Sequence, residues 1–379
     1  MVRIAAKVSL LILLLIGLPL LGIVLTGQPI DRYLEFPPQT RYVHHPPFSW
    51  TVFIPLALLI TGSVGPFLVL TARSHVNLET YFRSHERGLT SQAFPWWGWC
   101  GAALTATSWL LAWNRFAWFE LLQPFTFTPL WFGYILLVNA WTFSRMGRCM
   151  MLDRPRYFLS LFPLSSGFWW FFEYLNRFVN NWYYITAQAF TPLEYVVHAT
   201  VAFSTVLPAV LGTVELLASY PRIGFGLDRL PPLLHTDVKK VGWGVLLLAC
   251  GGLTGIGIWP SYLFPLVWVA PLLVITSLQM IVGEETIFSS IRYGDWTSLW
   301  FAALAALVCG VFWEMWNYKS LSHWEYAIPF VHGYKIFEMP ILGYAGYLPF
   351  GLECVAVAQF FCPRSCRDSL NELMQMKGE

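Results

Sequence analysis

The chain has 379 residues, of which 56% are hydrophobic, 18% aromatic and only 12% charged. A soluble domain carries about a quarter charged residues, so this chain lacks the polar groups to cover its own surface and lipid must cover part of it. A net charge of +2 and the lack of any basic tract exclude a nucleic-acid partner, and the scattered cysteines build no disulfide framework.

In chain order, a basic flank (Arg3, Lys7) precedes an apolar run over residues 8–26, near the spanning length of about 20 residues. Residues 23–28 offer no cleavage pattern, so a retained first helix is expected rather than a signal peptide. Further apolar windows predict helices over 50–71, 97–113, 129–143, 157–178, 195–219, 241–258, 262–281, 297–317 and 340–361. With about ten crossings, the basic residues all fall on one side. They are the segment 73–87, then Arg145, Arg148, Arg154 and Arg156, then Arg222, Arg229, Lys239 and Lys240, and finally Arg364, Arg367 and Lys377. That bias places both termini in the cytoplasm of a bacterial-type inner membrane. A count of nine or eleven breaks the pattern. The 20 Trp, 30 Phe and 17 Tyr residues exceed what two interfacial belts need.

An ordered set of matches runs through the chain, one per expected helix. Trp97-Gly98 and Trp113 match Trp243-Gly244 and Trp259. Pro129-Leu130 matches Pro265-Leu266. Phe171, Glu173, Asn176, Trp182 and Tyr184 match Phe312, Glu314, Asn317, Trp324 and Tyr326, and Leu207-Pro208 matches Leu348-Pro349. The fold expected is an all-α polytopic membrane protein: two leading helices plus two four-helix repeats, parallel because each holds an even number of crossings. Its segments are 1–93 (two helices and a cytoplasmic loop), 94–219 (first repeat), 220–240 (linker), 241–361 (second repeat) and 362–379 (tail).

Carboxylates inside spanning segments are costly and mark function. The repeated Glu-x-x-Asn places Glu173 with Asn176, and Glu314 with Asn317, on one helix face. Glu338 starts the last helix from the same outer side. These five are the expected catalytic set, with Trp170, Trp182, Tyr184, Trp313, Trp324 and Tyr326 as the aromatic substrate surface. Arg177, Glu215, Glu353 and His198 form a second tier. The plainer reading is that the glutamates face interfacial water or pair with Arg177 or Lys319, and that Glu215 and Glu353 make inner-side ion pairs. Glu284 and Glu285 read as a solvated loop. Pro208 and Pro349 each free a backbone carbonyl and favour a kink. The histidines do not cluster, Cys362 and Cys366 read as free thiols, and no nucleotide motif appears, so no cofactor or metal is expected.

These features point first to a membrane enzyme acting on an apolar or amphiphilic substrate such as an isoprenoid, carotenoid or lipid. Intramembrane carboxyls would do acid/base work while aromatic faces stabilise a developing cation, in a cyclase, hydratase or transferase type of reaction. The outline is similar to that of membrane carotenoid cyclases and hydratases as a class, with no motif matched residue by residue. A small-solute transporter or channel and a non-catalytic anchor or scaffold are the other readings. The expected partners are the bilayer, a hydrophobic small molecule, and, for the scaffold, a membrane or periplasmic protein.

Overall fold

The computed structural model describes residues 2–38, 41–74, 92–185, 189–233 and 237–361. Most of the basic segment 73–87, and the tail with Cys362, Arg364, Cys366, Arg367 and Lys377, lie outside them. Helix α1 (Val2–Leu25) and helix α2 (Trp50–Ser74) lead the chain. Then come α3 (Trp96–Trp113), a 3-10 segment (Ala117–Phe125), α4 (Phe127–Met146), α5 (Pro155–Val179), strand β1 (Trp182–Tyr184), α6 (Pro192–Phe203) and α7 (Val206–Ala218). After a linker, α8 (Val238–Ile258) is followed by short turns over 260–268, α9 (Ala270–Val282), α10 (Thr297–Tyr318) and β2 (Trp324–Tyr326). The strands β3 (Lys335–Ile336) and β4 (Met339–Pro340), a 3-10 segment (Ile341–Gly346) and α11 (Tyr347–Phe360) complete the described fold.

Among the described residues, six helices are long and apolar enough to cross a membrane, or eight if each of two bent pairs is one span. The bent pairs are the 3-10 segment 117–125 with α4, at 69°, and the turns 260–268 with α9, at 54°. The residues of α2 illustrate the medium: Ile54, Leu58, Leu59 and Leu68 are all exposed, which suits hydrocarbon and not water. This is a multi-pass membrane protein.

Two expected helices are divided. The window 195–219 holds α6 and α7, and the window 340–361 opens with a 3-10 segment before α11. Pro208 and Pro349 account for both, because neither can donate to the carbonyl four residues earlier, which belongs to Ser204 and Ala345. Packing follows close backbone approaches. A Cβ on Gly22 of α1 would stand 2.1 Å from the Thr254 carbonyl of α8, and one on Gly351 of α11 would stand 2.0 Å from the Ala302 carbonyl of α10. Helices whose apolar sides are equally content in lipid associate through such small-residue contacts. The interior is aromatic: Trp131, Trp316, Phe172 and Phe350 are fully buried.

The described fold is helical, as expected, and adds four short strands. β1 pairs antiparallel with β2, setting Trp182 opposite Tyr326, Tyr183 opposite Glu325 and Tyr184 opposite Trp324; β3 and β4 form a small hairpin. Strands of two or three residues carry no periodic signal, and in a membrane protein they persist only where side chains satisfy the remaining backbone groups.

Candidate functional site: an aromatic cavity backed by two glutamates

Helix α5 ends at Asn180, whose left-handed backbone (φ 49°) is a conformation that Asn tolerates better than most residues. The chain then folds back, and Asn176 holds it. The Asn176 Oδ1 accepts from the backbone N–H of Asn181 (2.8 Å) and of Trp182 (3.3 Å), and its Nδ2 donates to the Trp182 carbonyl (2.8 Å). The return brings Trp182 and Tyr184 beside Glu173. Glu173 Oε1 accepts from Tyr184 Oη (2.6 Å), Trp182 Nε1 (3.0 Å) and, from one turn earlier on α5, Trp169 Nε1 (3.1 Å).

Helix α10 makes the same construction. Asn317 Oδ1 accepts from the Trp324 N–H (2.8 Å), and Asn317 Nδ2 donates to the Trp324 carbonyl (2.7 Å). Glu314 Oε1 accepts from Tyr326 Oη and Tyr347 Oη, both at 2.7 Å. Trp324 Nε1 donates to Tyr326 Oη (2.8 Å). The pairing of β1 with β2 joins the two constructions, and its register is symmetric about the Tyr183–Glu325 pair.

Between them lies a cavity of about 180 Å³. The donors to both glutamates, Trp169, Trp182, Tyr184, Tyr326 and Tyr347, form its wall together with Trp313 and Trp268. Glu173 and Glu314 are fully buried and do not line it. Each stands one layer back, with Oε2 enclosed and without a hydrogen-bond partner.

This arrangement revises several expectations. Glu173 and Glu314 reach the cavity only through the rings that bond them. Asn176 and Asn317, expected in the catalytic set, are clamps on the backbone. Glu338 sits in the β3–β4 hairpin 3.4 Å from Lys335 and outside the cavity wall. Trp170 turns away, donating to Thr200 Oγ1 at 3.0 Å, whereas Trp182, Tyr184, Trp313, Trp324 and Tyr326 do line the cavity. Arg177 donates to the Tyr33 carbonyl, and Lys319 lies over the Trp113 ring, so neither pairs with the repeated glutamates. Glu215 accepts from the Met150 N–H at 2.8 Å. Glu353 is fully buried with neither oxygen bonded, a different outcome from the ion pair expected.

His198 joins the wall, stacked on Phe125 at 4.1 Å. His323, expected only as a loop residue, also lines the cavity and lies 3.6 Å from Glu325. The other oxygen of Glu325 accepts from Tyr183, whose phenol is held above its ordinary range by burial and by that carboxylate. Two further wall residues were open to sequence reasoning, Trp169 by its spacing of four from Glu173 and His323 by its place next to Trp324, whereas Trp268 and Tyr347 arrive by tertiary folding alone. Among the described residues no three His, Cys, Asp or Glu side chains converge as a metal site. No protein family, curated protein or solved structure matches the chain.

Proposed function

We propose that the chain is a membrane-embedded enzyme that receives an apolar or amphiphilic substrate in the aromatic cavity. The observation that carries this reading is the position of three tyrosines in the cavity wall, each donating to a buried glutamate: Tyr184 to Glu173, and Tyr326 and Tyr347 to Glu314. A proton passed from substrate to a phenol oxygen is matched by the phenol's own proton moving to the carboxylate, and the reverse sequence returns it. The surrounding rings exclude water, and their faces favour positive charge developing on a substrate.

The architecture that goes with this reading is the one expected above. Adding α3 and α5 to the six apolar helices and two bent pairs gives ten crossings, with both termini cytoplasmic. The duplication into 94–219 and 241–361 is supported by the matching Glu/Asn constructions, by the symmetric strand register and by a bent pair in each half. Cysteine labelling from outside should reach a probe at Val331 and fail at Pro231; the reverse would overturn the assigned sides.

The test of activity is chemical. Protein purified from its native membrane is extracted with organic solvent and the extract analysed by mass spectrometry. Wild type should release a defined apolar or amphiphilic species, and the Glu173→Gln or Glu314→Gln variant a different, unconverted one. Identical extracts from wild type and both variants would sink the enzymatic reading. The transporter reading draws on Glu353, an unpartnered carboxyl deep in α11; proteoliposome uptake abolished by Glu353→Gln would favour it.

A further inference from the structure

The wall of the cavity restricts the charge of what it can hold, on the reading that this cavity is the functional site. The indole N–H groups of Trp169 and Trp182 and the hydroxyls of Tyr184, Tyr326 and Tyr347 are all committed to Glu173 or Glu314. Trp324 is committed to Tyr326. With those groups bonded to the glutamates, what these rings chiefly offer a ligand is their π faces, and that face is the negative part of the ring quadrupole. No Asp, Glu, Lys or Arg is among the described residues of the wall. Behind it stand two carboxyls, each with an enclosed, unpartnered oxygen.

An anion meets negative faces and no Lys or Arg among the described residues of the wall. A primary ammonium carries three N–H donors, and the wall's uncommitted side-chain acceptors are confined to Thr128, Tyr195, His198, Ser322 and His323, while the rings around Glu173 and Glu314 offer it none. A neutral hydrocarbon fits the surface but draws nothing from the two carboxyls. A quaternary ammonium needs no hydrogen bond, spreads its charge over methyl groups and is favoured by aromatic faces. We infer that the group seated in this cavity is a diffuse organic cation of the quaternary ammonium type, belonging either to a lipid headgroup or to a free solute.

The full-length protein in phosphatidylglycerol nanodiscs, where no choline lipid competes, is titrated with choline and with 3,3-dimethylbutan-1-ol, its uncharged isostere. Tryptophan fluorescence reports binding. Choline should bind about 10-fold more tightly, within the range that cation–π contacts provide. The double variant Glu173→Gln/Glu314→Gln, checked for fold by near-ultraviolet circular dichroism, should reduce that preference and leave the alcohol unaffected. Equal binding of the two probes, or an unchanged preference in the folded double variant, would overturn the inference while leaving an apolar substrate site intact. If neither probe nor any apolar fluorophore enters, both readings fall. Repetition in phosphatidylcholine nanodiscs separates the sources: weaker apparent choline binding there identifies a lipid headgroup, and equal binding a free solute.

Discussion

The Glu173 and Glu314 sites have the same parts and obtain them differently. In each, one carboxyl oxygen collects all the hydrogen bonds and the other has none. At Glu173 every donor is local: Trp169 on the same helix, and Trp182 and Tyr184 just after it. At Glu314 one donor, Tyr347, comes from α11, 33 residues away. Glu173 and Glu314 stand 141 positions apart, as do Trp169 and Gly310, and as do Val206 and Tyr347. Where one site has a large Trp and a small Val, the other has no side chain and a large Tyr. A Cβ on Gly310 would lie 2.4 Å from the Tyr347 ring, so the glycine makes room for the distant donor. The same layer of donors can therefore be filled from either partner helix, provided the other residue gives way.

The largest expected effect is on the clamps. Asn176 makes three hydrogen bonds to the returning backbone and Asn317 makes two. A buried backbone group left unpaired costs about 1–3 kcal/mol. Asn176→Ala should therefore destabilise the protein by about 3 kcal/mol or more and Asn317→Ala by about 2 kcal/mol, read as thermal unfolding in detergent. Equal losses, or none, would show that the strands hold themselves in place.

Gly310→Ala should come next, at about 1–3 kcal/mol of overpacking, with Tyr347 displaced from Glu314. Adding Tyr347→Val copies the Val found at 206 and should recover much of the lost stability without recovering ligand binding. If the double variant is no more stable than Gly310→Ala, the two positions are not coupled and the proposed exchange of large and small residues is wrong.

Smaller losses should follow removal of single hydroxyls, at about 1 kcal/mol each. Tyr184→Phe leaves Glu173 with two indole donors, whereas Tyr326→Phe with Tyr347→Phe removes both hydroxyl donors to Glu314. Groups sharing one acceptor are not independent, so the double change should exceed the sum of the singles. Simple additivity would show that the remaining cavity, and not the tyrosines, satisfies Glu314.

What could be read in advance follows from range. Membrane helices announce themselves by apolar length, and the Glu-x-x-Asn pattern recurred with its downstream Trp and Tyr because those contacts lie within about a dozen residues. The clamping role of Asn176 and Asn317 was not legible, since an amide on a helix face looks the same whether it meets a ligand or a backbone. Neither was the recession of the glutamates behind the wall, because periodicity assigns a face and not a depth. Tyr347 and Trp268 reach the cavity through packing between distant segments, which a single sequence does not encode locally, whereas His323 sits next to Trp324 and was within range. Trp170 misled for the converse reason: one step along the helix from Trp169, it turns by about 100° and meets Thr200 instead.

The smallest expected effect concerns the segments that follow β1 and β2, which also differ. Between β1 and α7 the chain forms helix α6; between β2 and α11 it forms the β3–β4 hairpin and a 3-10 segment. The hairpin side carries His332, whose Nδ1 is enclosed without a partner. Burial, with help from Lys335 and His45 and against the pull of Glu338, holds its imidazole below the ordinary histidine range. The folded state therefore keeps His332 neutral at pH values where the unfolded chain takes up a proton. Stability from this source is fully present above about pH 6.5, the unfolded value, and is lost as the pH falls through the lowered folded value. Thermal unfolding measured from pH 7.5 down to pH 5 should thus show a modest decline that His332→Gln flattens. A decline of unchanged slope in that variant would move the acid sensitivity away from the hairpin.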